Sequence, residues 1–520
     1  MRKISIVAGL TTFVVAGCAV ANEDDVRVAP IDPGVSTQAF TGSRRRVVVF
    51  KADTLPSDAS SRLARNGARV RKQIAELGVA TVDADGTTAA KIAADPTVAA
   101  IGSERSWAIP KHRVFGRRHR PKPEAPQDFL YGAQWDQRRI RADRARANVS
   151  RGAQSRVTVA VLDVGVFGDH PDLVGKVVDG VDTSYAHKPD SGCSGPAVPA
   201  GFPAYFTRFN LLAADPVSGA VPCEPVEDFA SVQSHGTHVA GTIAANIDPN
   251  SAVVGVGPSL NIAAYKVFDR LHLADGEEDQ ILAFDGSLFE AIADAARKGY
   301  AVANMSLGGI LDRNDPDQNA SWQAWNRAAN LATRKGTLLI AAAGNDSLLT
   351  NGRNVAAVPA DLSAVVSVSA TGTSKLLGPF EFGSVWGPLN AAPGSDVLAF
   401  YSNYGSRVDL AAPGGDCGPT FPNGCEQQYL IVSSTPLYVP SWSTDPALPP
   451  PGLYADLTWM AGTSMAAPHV AGVAALIKAK HPSWGPLLIR RQLEQSAERI
   501  GPRSSQQFGS GMVDADRATR

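Results

Sequence analysis

From residue 131 onward, short uninterrupted apolar runs alternate with longer stretches whose apolar positions recur every three or four residues. Val157-Thr158-Val159-Ala160-Val161-Leu162, Ala263-Ala264-Tyr265-Lys266-Val267, Ala301-Val302-Ala303-Asn304-Met305 and Leu338-Leu339-Ile340-Ala341-Ala342 are of the first kind. Runs without polar alternation mark strands buried on both faces, as in a parallel sheet. Ser287 to Arg297 is of the second kind: Leu288, Ile292, Ala295 and Ala296 share one stripe, and Gly299 closes it. Strands alternating with helices predict an α/β unit over 131–520, a three-layer domain with a mostly parallel twisted sheet covered by helices. Two polar, Pro/Gly-rich interruptions, 184–233 and 436–456, read as surface loops. No internal repeat is visible.

A smaller pattern precedes this unit, at 44–106. Val47-Val48-Val49-Phe50, Val79-Ala80-Thr81-Val82 and Val98 to Ile101 carry strand signals. Leu63, Val70, Ile74 and Leu77 recur at helical spacing up to Gly78, and Lys91 to Ala94 forms a second short helical segment before Pro96. The expected order is β-α-β-α-β, a small α+β unit. Residues 22–43 are polar and read as a linker. Residues 107–130 interleave Lys111, Arg113, Arg117, Arg118, Arg120 and Lys122 with prolines, without apolar period. That stretch reads as an exposed, protease-sensitive linker rather than a nucleic-acid-binding arm.

Charge and composition narrow the classes. The formal net charge is -1, which argues against a nucleic-acid partner and against attraction to a membrane surface. Hydrophobic residues make up 44% of the chain, enough for a large core and against wholesale disorder. Arg2 and Lys3 precede an apolar stretch, Ile4 to Gly17, too short to span a bilayer, so residues 1–21 read as an export signal. Two cleavage readings compete. Val15-Ala16-Gly17-Cys18 resembles a lipobox, which would lipidate Cys18. Ala19-Val20-Ala21 resembles an ordinary signal-peptidase site. Either places the protein outside the cytoplasm, released or lipid-anchored at a bacterial cell envelope. Four cysteines then remain, and four allow three pairings. Pairing neighbours, Cys193 with Cys223 and Cys417 with Cys425, encloses one loop each. No C-x-x-C spacing suggests a metal.

Three segments carry chemistry. Asp163 ends the run Val159-Ala160-Val161-Leu162 at a point where α/β sheets place ligands, although a turn aspartate is the plain alternative. Ser234-His235-Gly236-Thr237-His238-Val239-Ala240-Gly241-Thr242 begins a helix with His235 at its start. His235 and His238 have H-x-x-H spacing without a glutamate, so His238 reads as a hydrogen-bonded structural histidine rather than a zinc ligand. Gly462-Thr463-Ser464-Met465-Ala466-Ala467-Pro468-His469 opens an Ala-rich helix, where a lone Ser464 would read as an N-cap.

Taken in the order Asp, His, Ser, these segments resemble the signatures of the subtilisin-like (subtilase, peptidase S8) serine proteases, whose chain order differs from those of chymotrypsin and the α/β-hydrolases. Gln134-Trp135-Asp136, Gly255-Val256-Gly257-Pro258, Ser402-Asn403-Tyr404-Gly405, Leu410-Ala411-Ala412-Pro413-Gly414 and Gly509-Ser510-Gly511-Met512-Val513 extend the resemblance. It implies a triad of Asp163, His235 and Ser464, with Asn345 of Ala342-Ala343-Gly344-Asn345 in the oxyanion hole. It implies a substrate-binding strand at Ser306, Leu307, Gly308 and Gly309, with Ala343 and Gly344 beside it. The 44–106 unit resembles the family's inhibitory prodomain, removed by a cut near 107–128. The implied partners are protein or peptide substrates and the chain's own prodomain, acting in a monomer. No cofactor is required for the chemistry. Asn246, Asp248 and Asn250 offer oxygen donors for a structural calcium ion or form a plain polar turn. An esterase reading fails because G-x-S-x-G is absent around Ser464.

Overall fold

The computed structural model describes residues 44–108, 113–114, 132–185, 211–213, 229–247, 251–272, 280–351, 354–378, 388–422, 424–439, 452–501 and 506–520. The export signal with Cys18, the 22–43 linker, nearly all of the basic linker, Cys193 and Cys223, most of the 184–233 loop, the middle of the 436–456 segment, and Asp248 and Asn250 lie outside these residues. Among the described residues no helix is long and apolar enough to cross a membrane.

The N-terminal unit runs β1 (Arg45–Phe50), α1 (Ala59–Arg65), β2 (Arg69–Ile74), β3 (Val79–Asp83), α2 (Gly86–Ala93) and β4 (Val98–Ser103). Its strands form one sheet in the order β2-β3-β1-β4. The helix expected through Val70 and Ile74 is a strand. Asn66 caps α1, and Gly67, at φ +95°, turns the chain back. From Arg69 onward the backbone hydrogen bonds are made with β3 instead. Leu63 and Ile92 join Val48, Phe50, Ala80 and Val82 in a core on one face of the sheet. Val47, Val49, Val79 and Ile74 on the other face belong to the core of the larger unit. Two short strands follow, β5 (Ser106–Ala108) and β6 (Arg113–Val114).

The larger unit is built on β7 (Thr158–Asp163), β8 (Val177–Asp182), β9 (Asn261–Lys266), β10 (Gln280–Phe284), β11 (Val302–Met305), β12 (Leu338–Ala342), β13 (Val365–Thr373), β14 (Asp396–Leu398), β15 (Leu410–Pro413) and β16 (Gly452–Ala461). Among the described residues its central sheet has the order β14-β13-β12-β11-β7-β9-β8, with β15 also on β13. All its pairings are parallel except that of β13 with β14. Helices α3 (Phe229–Ala244) and α6 (Thr463–Lys480) cover one face, and α4 (Asp285–Arg297) and α5 (Asn319–Lys335) cover the other.

The continuous apolar run of β7 follows from this layering. Val159 and Val161 pack in the core that holds Val239, Ile243 and Val470. Ala160 and Leu162 pack in the core that holds Leu288, Ile292 and Trp325. Neither face of the strand meets water between Val159 and Leu162, so those four residues are all apolar. One boundary differs from expectation: α3 begins at Phe229, so His235 sits inside the helix rather than at its start.

Candidate active site

The C-terminal ends of three neighbouring strands meet the N-terminus of α6. Asp163 is the last residue of β7, Ser306 follows β11, and the turn from Ala343 to Asn345 follows β12. The parallel pairing of β7, β11 and β12 forces these ends onto one edge of the sheet. Ser464 is the second residue of α6 and is fully buried, as are Asp163 and His235.

His235 Nδ1 lies 2.9 Å from Asp163 Oδ1 and 3.0 Å from Oδ2. The Val164 N–H also donates to Asp163 Oδ1, at 2.8 Å, which fixes the carboxylate plane. A carboxylate so held makes Nδ1 carry the proton and leaves Nε2 as the basic nitrogen of the neutral ring. Gly236 permits the approach of α3. A Cβ there would stand 2.1 Å from the Gly165 carbonyl oxygen and 3.1 Å from Asp163 Oδ1. Close to the pair, the Thr237 hydroxyl accepts the Phe167 N–H at 2.9 Å and ties the helix to the loop after β7.

Ser464 Oγ donates to the Ser306 carbonyl at 3.2 Å, while Ser306 Oγ donates to the Ser464 carbonyl at 2.7 Å. Asn304 Nδ2 in turn donates to Ser306 Oγ at 3.0 Å. Asn345 is oriented by a residue that the sequence reading did not single out. Thr463 N–H and Thr463 Oγ–H both donate to Asn345 Oδ1, at 2.9 and 2.7 Å. With the oxygen committed to those donors, the carboxamide presents Nδ2 on its opposite side. The turn itself is held by Asn403. Its Oδ1 accepts the N–H groups of Asp346 and Leu348, and its Nδ2 donates to the Ala343 carbonyl. Gly344 takes φ +106°, and a Cβ there would lie 2.3 Å from Asn403 Nδ2.

The Ser306–Gly309 segment divides into different roles. The Leu307 side chain is wholly inside the core. Gly309 opens a short strand, Gly309–Asp312, that pairs with Val355–Val358. Gly308 meets Ala108 of β5, its N–H donating to the Ala108 carbonyl at 3.4 Å. On its other edge β5 pairs antiparallel with β10, Ala108 opposite Leu282 and Trp107 opposite Ala283. Beyond residues 109–112, Arg113 pairs with Ala461 of β16, three residues before Ser464. The segment after the N-terminal unit therefore pairs with β10 and Gly308, and then with β16, the strand that leads into α6.

His238 Nε2 lies 3.0 Å from the Ile431 carbonyl, within a buried structural contact. His469 is a second buried histidine, and the sequence reading gave it no role. Its Nδ1 lies 2.8 Å from the Met465 carbonyl and its Nε2 2.9 Å from Asp136 Oδ2, joining α6 to the Gln134-Trp135-Asp136 segment. Cys417 and Cys425 form a disulfide, with Cα atoms 4.2 Å apart. Among the described residues no group of three or more His, Cys, Asp or Glu is placed to hold a metal ion. Of the calcium candidates only Asn246 is described, and its Nδ2 donates to the Val174 carbonyl at 3.1 Å.

The chain is similar to known proteins over most of its length. The Peptidase_S8 model of the Subtilase family matches residues 154–511. Subtilisin BL of Lederbergia lenta is 33% identical over 300 residues, which cover 58% of this chain and 82% of that relative. Subtilisin NAT of Bacillus subtilis subsp. natto is 26% identical over 482 residues, 92% of this chain and 91% of that relative. The crystal structure of the epidermin leader peptide processing serine protease of Staphylococcus aureus shares the fold. Its TM-score is 0.60 at 21% identity, covering 92% of this chain and 98% of that one. The chain belongs to the subtilase family and is a subtilisin-like serine peptidase.

Proposed function

We propose that the chain is an endopeptidase made as a self-processing precursor, with Asp163, His235 and Ser464 as its triad. The observation that carries the reading is the buried contact of His235 Nδ1 with both Asp163 oxygens, on the sheet edge where α6 presents Ser464. Ser464 Oγ leaves the Ser306 carbonyl, gives its proton to His235 Nε2 and bonds to the substrate carbonyl carbon. Asp163 holds the imidazolium that forms. The oxyanion meets the Ser464 N–H at the start of α6 and Asn345 Nδ2. Collapse breaks the C–N bond, and the amine departs with the proton from His235. Water then repeats the sequence on the acyl-enzyme and releases the acid.

The N-terminal unit serves as the inhibitory prodomain. Three observations support this. It lays one sheet face against the core of the larger unit. The chain leaving it pairs with Gly308 and then with Ala461, as a substrate strand would. The alignment with Subtilisin NAT is too long to leave out residues 44–106. On this reading the segments are an export signal at 1–21, a linker at 22–43, the prodomain at 44–106, a linker cut during maturation at 107–130 and the catalytic domain at 131–520. The exported precursor starts at a lipidated Cys18 or at Asn22, and the mature enzyme, once its prodomain is shed, degrades protein outside the cytoplasm. Ser464→Ala tests the proposal. Wild type sheds its N-terminal unit at a new end within 107–130, and the variant stays uncut. A Ser464→Ala chain that processes itself at the wild-type rate would sink it.

A further inference from the structure

Trp107 is the largest side chain on β5, and it is completely buried. Its indole N–H donates to Asp285 Oδ1 at 2.7 Å. The Trp325 indole N–H reaches the same oxygen at 2.9 Å. The two indoles meet edge to face, 5.7 Å between centroids, and Phe289 stands edge to face on Trp325 at 5.2 Å. Leu307 lies in the same core. The site thus combines aromatic walls with one fixed, fully buried carboxylate.

Such a carboxylate is costly unless N–H donors meet it. Asp285 Oδ2 accepts the Arg105 N–H at 3.1 Å, and Oδ1 accepts the two indoles. Burial pushes its pKa above the usual carboxylate range, with these donors opposing the shift. Two of its donors, Arg105 N–H and Trp107 Nε1–H, belong to the segment that departs when the precursor is cut, while the Trp325 N–H stays. On that reading the mature enzyme holds a pocket with aromatic walls and a buried carboxylate that keeps the Trp325 N–H but lacks its other two N–H donors.

We propose that Asp285 makes the pocket it forms with Phe289, Leu307 and Trp325 selective for a tryptophan of the substrate, and that Trp107 fills this subsite in the precursor as a built-in ligand. The proposal rests on the endopeptidase reading above. Backbone register gives the position: a substrate residue pairing with Gly308 as Ala108 does puts its N-terminal neighbour into the pocket. Phenylalanine or leucine fills the volume but offers no donor. Tryptophan supplies both the flat ring and an N–H at its edge.

The test uses mature wild-type enzyme and peptides of the sequence 103–114, with position 107 occupied by Trp, benzothienylalanine, Phe, Leu or Arg. Benzothienylalanine keeps the bicyclic shape and replaces the N–H by sulfur. Each peptide is read by kcat/KM or, where it resists cleavage, by Ki against a generic chromogenic substrate. The Trp peptide is expected to exceed the benzothienylalanine peptide by about 10- to 100-fold, the effect of an unmet buried acceptor. Asp285→Leu is expected to reduce that ratio to within about twofold. Equal values for Trp and benzothienylalanine in wild type, or an Arg peptide preferred over Trp, would overturn the proposal. Fluorophosphonate labelling of the same preparation separates the two readings: labelled enzyme without Trp preference sinks the subsite alone, and unlabelled enzyme sinks the endopeptidase.

Discussion

Replacing Gly236 by alanine would move His235 away from Asp163. The added Cβ would stand 2.1 Å from the Gly165 carbonyl oxygen, a backbone atom that cannot swing aside. An ordinary close C···O contact is about 3.3 Å, so α3 and the loop after β7 must separate by roughly 1 Å. Asp163 Oδ1, 3.1 Å from the new Cβ, lies in the same path. The Nδ1 contacts at 2.9 and 3.0 Å would stretch beyond hydrogen-bonding distance. A misplacement of about 1 Å in an active site costs on the order of 10²-fold, and overpacking of this kind costs about 1–3 kcal/mol of stability. Gly236→Ala is therefore expected to lose about 10²-fold in kcat/KM while still folding. The assay is peptide hydrolysis per mole of total protein, alongside a thermal melt. A trace of wild type would cut the variant if it fails to mature. Folded Gly236→Ala with kcat/KM within threefold of wild type would show that the spacing of helix and strand does not control the pair.

Other outcomes follow from the same contacts. Thr463→Val removes one of the two donors on Asn345 Oδ1 and the hydroxyl that accepts the Gly344 N–H. It is expected to lower kcat about tenfold with KM within twofold, and an unchanged kcat would mean that Thr463 does not orient Asn345. Glu104 is buried between the two units. Its Oε1 accepts the Gly286 N–H and the Tyr185 hydroxyl, with Arg45 and Asp285 as its charged neighbours. Burial pushes its pKa up to about 7 from the ordinary 4.5. The docked state therefore holds the extra proton between those values, so docking is tightest at low pH and weakens as pH rises through 7. Gel filtration of the cut complex at pH 5 and pH 8 should show more release at pH 8, and Glu104→Gln should flatten the difference. Cys417→Ser opens a loop of sequence separation 8 and should cost about 2.5 kcal/mol; an unaltered denaturation midpoint would show that the bridge contributes no stability.

The sheet was readable because burial on both faces leaves strands such as β7 without polar alternation. Helix α4 was readable because Leu288, Ile292, Ala295 and Ala296 recur at helical spacing while Glu290, Asp294 and Arg297 hold the one stripe that is not buried. The start of α3 was misplaced because the small residues around His235 imitate a beginning, although Asp228 just before Phe229 carries a helix-start signal. β2 was misread because Leu63, Val70, Ile74 and Leu77 meet helical spacing by coincidence, while the stop signal lay in Asn66-Gly67. In the site, Asp163, His235, Ser464 and Asn345 each stand in a local motif and could be named. Thr463 was quoted without a role, since nothing local says that its hydroxyl turns toward a residue 118 positions away. The Asp285 pocket was invisible for the same reason: its indole donors lie 178 and 40 positions from the carboxylate, and only the fold brings them together.

The central claim is that Ser464 is the nucleophile, activated by His235 and Asp163. Mature wild type treated with a fluorophosphonate, digested and mapped by mass spectrometry tests it most directly. The account predicts one adduct on the peptide carrying Gly462-Thr463-Ser464, formed at least about 10³-fold more slowly in Asp163→Asn and His235→Ala. An adduct on another serine, or labelling of Ser464 at the same rate when His235 is replaced, would contradict it.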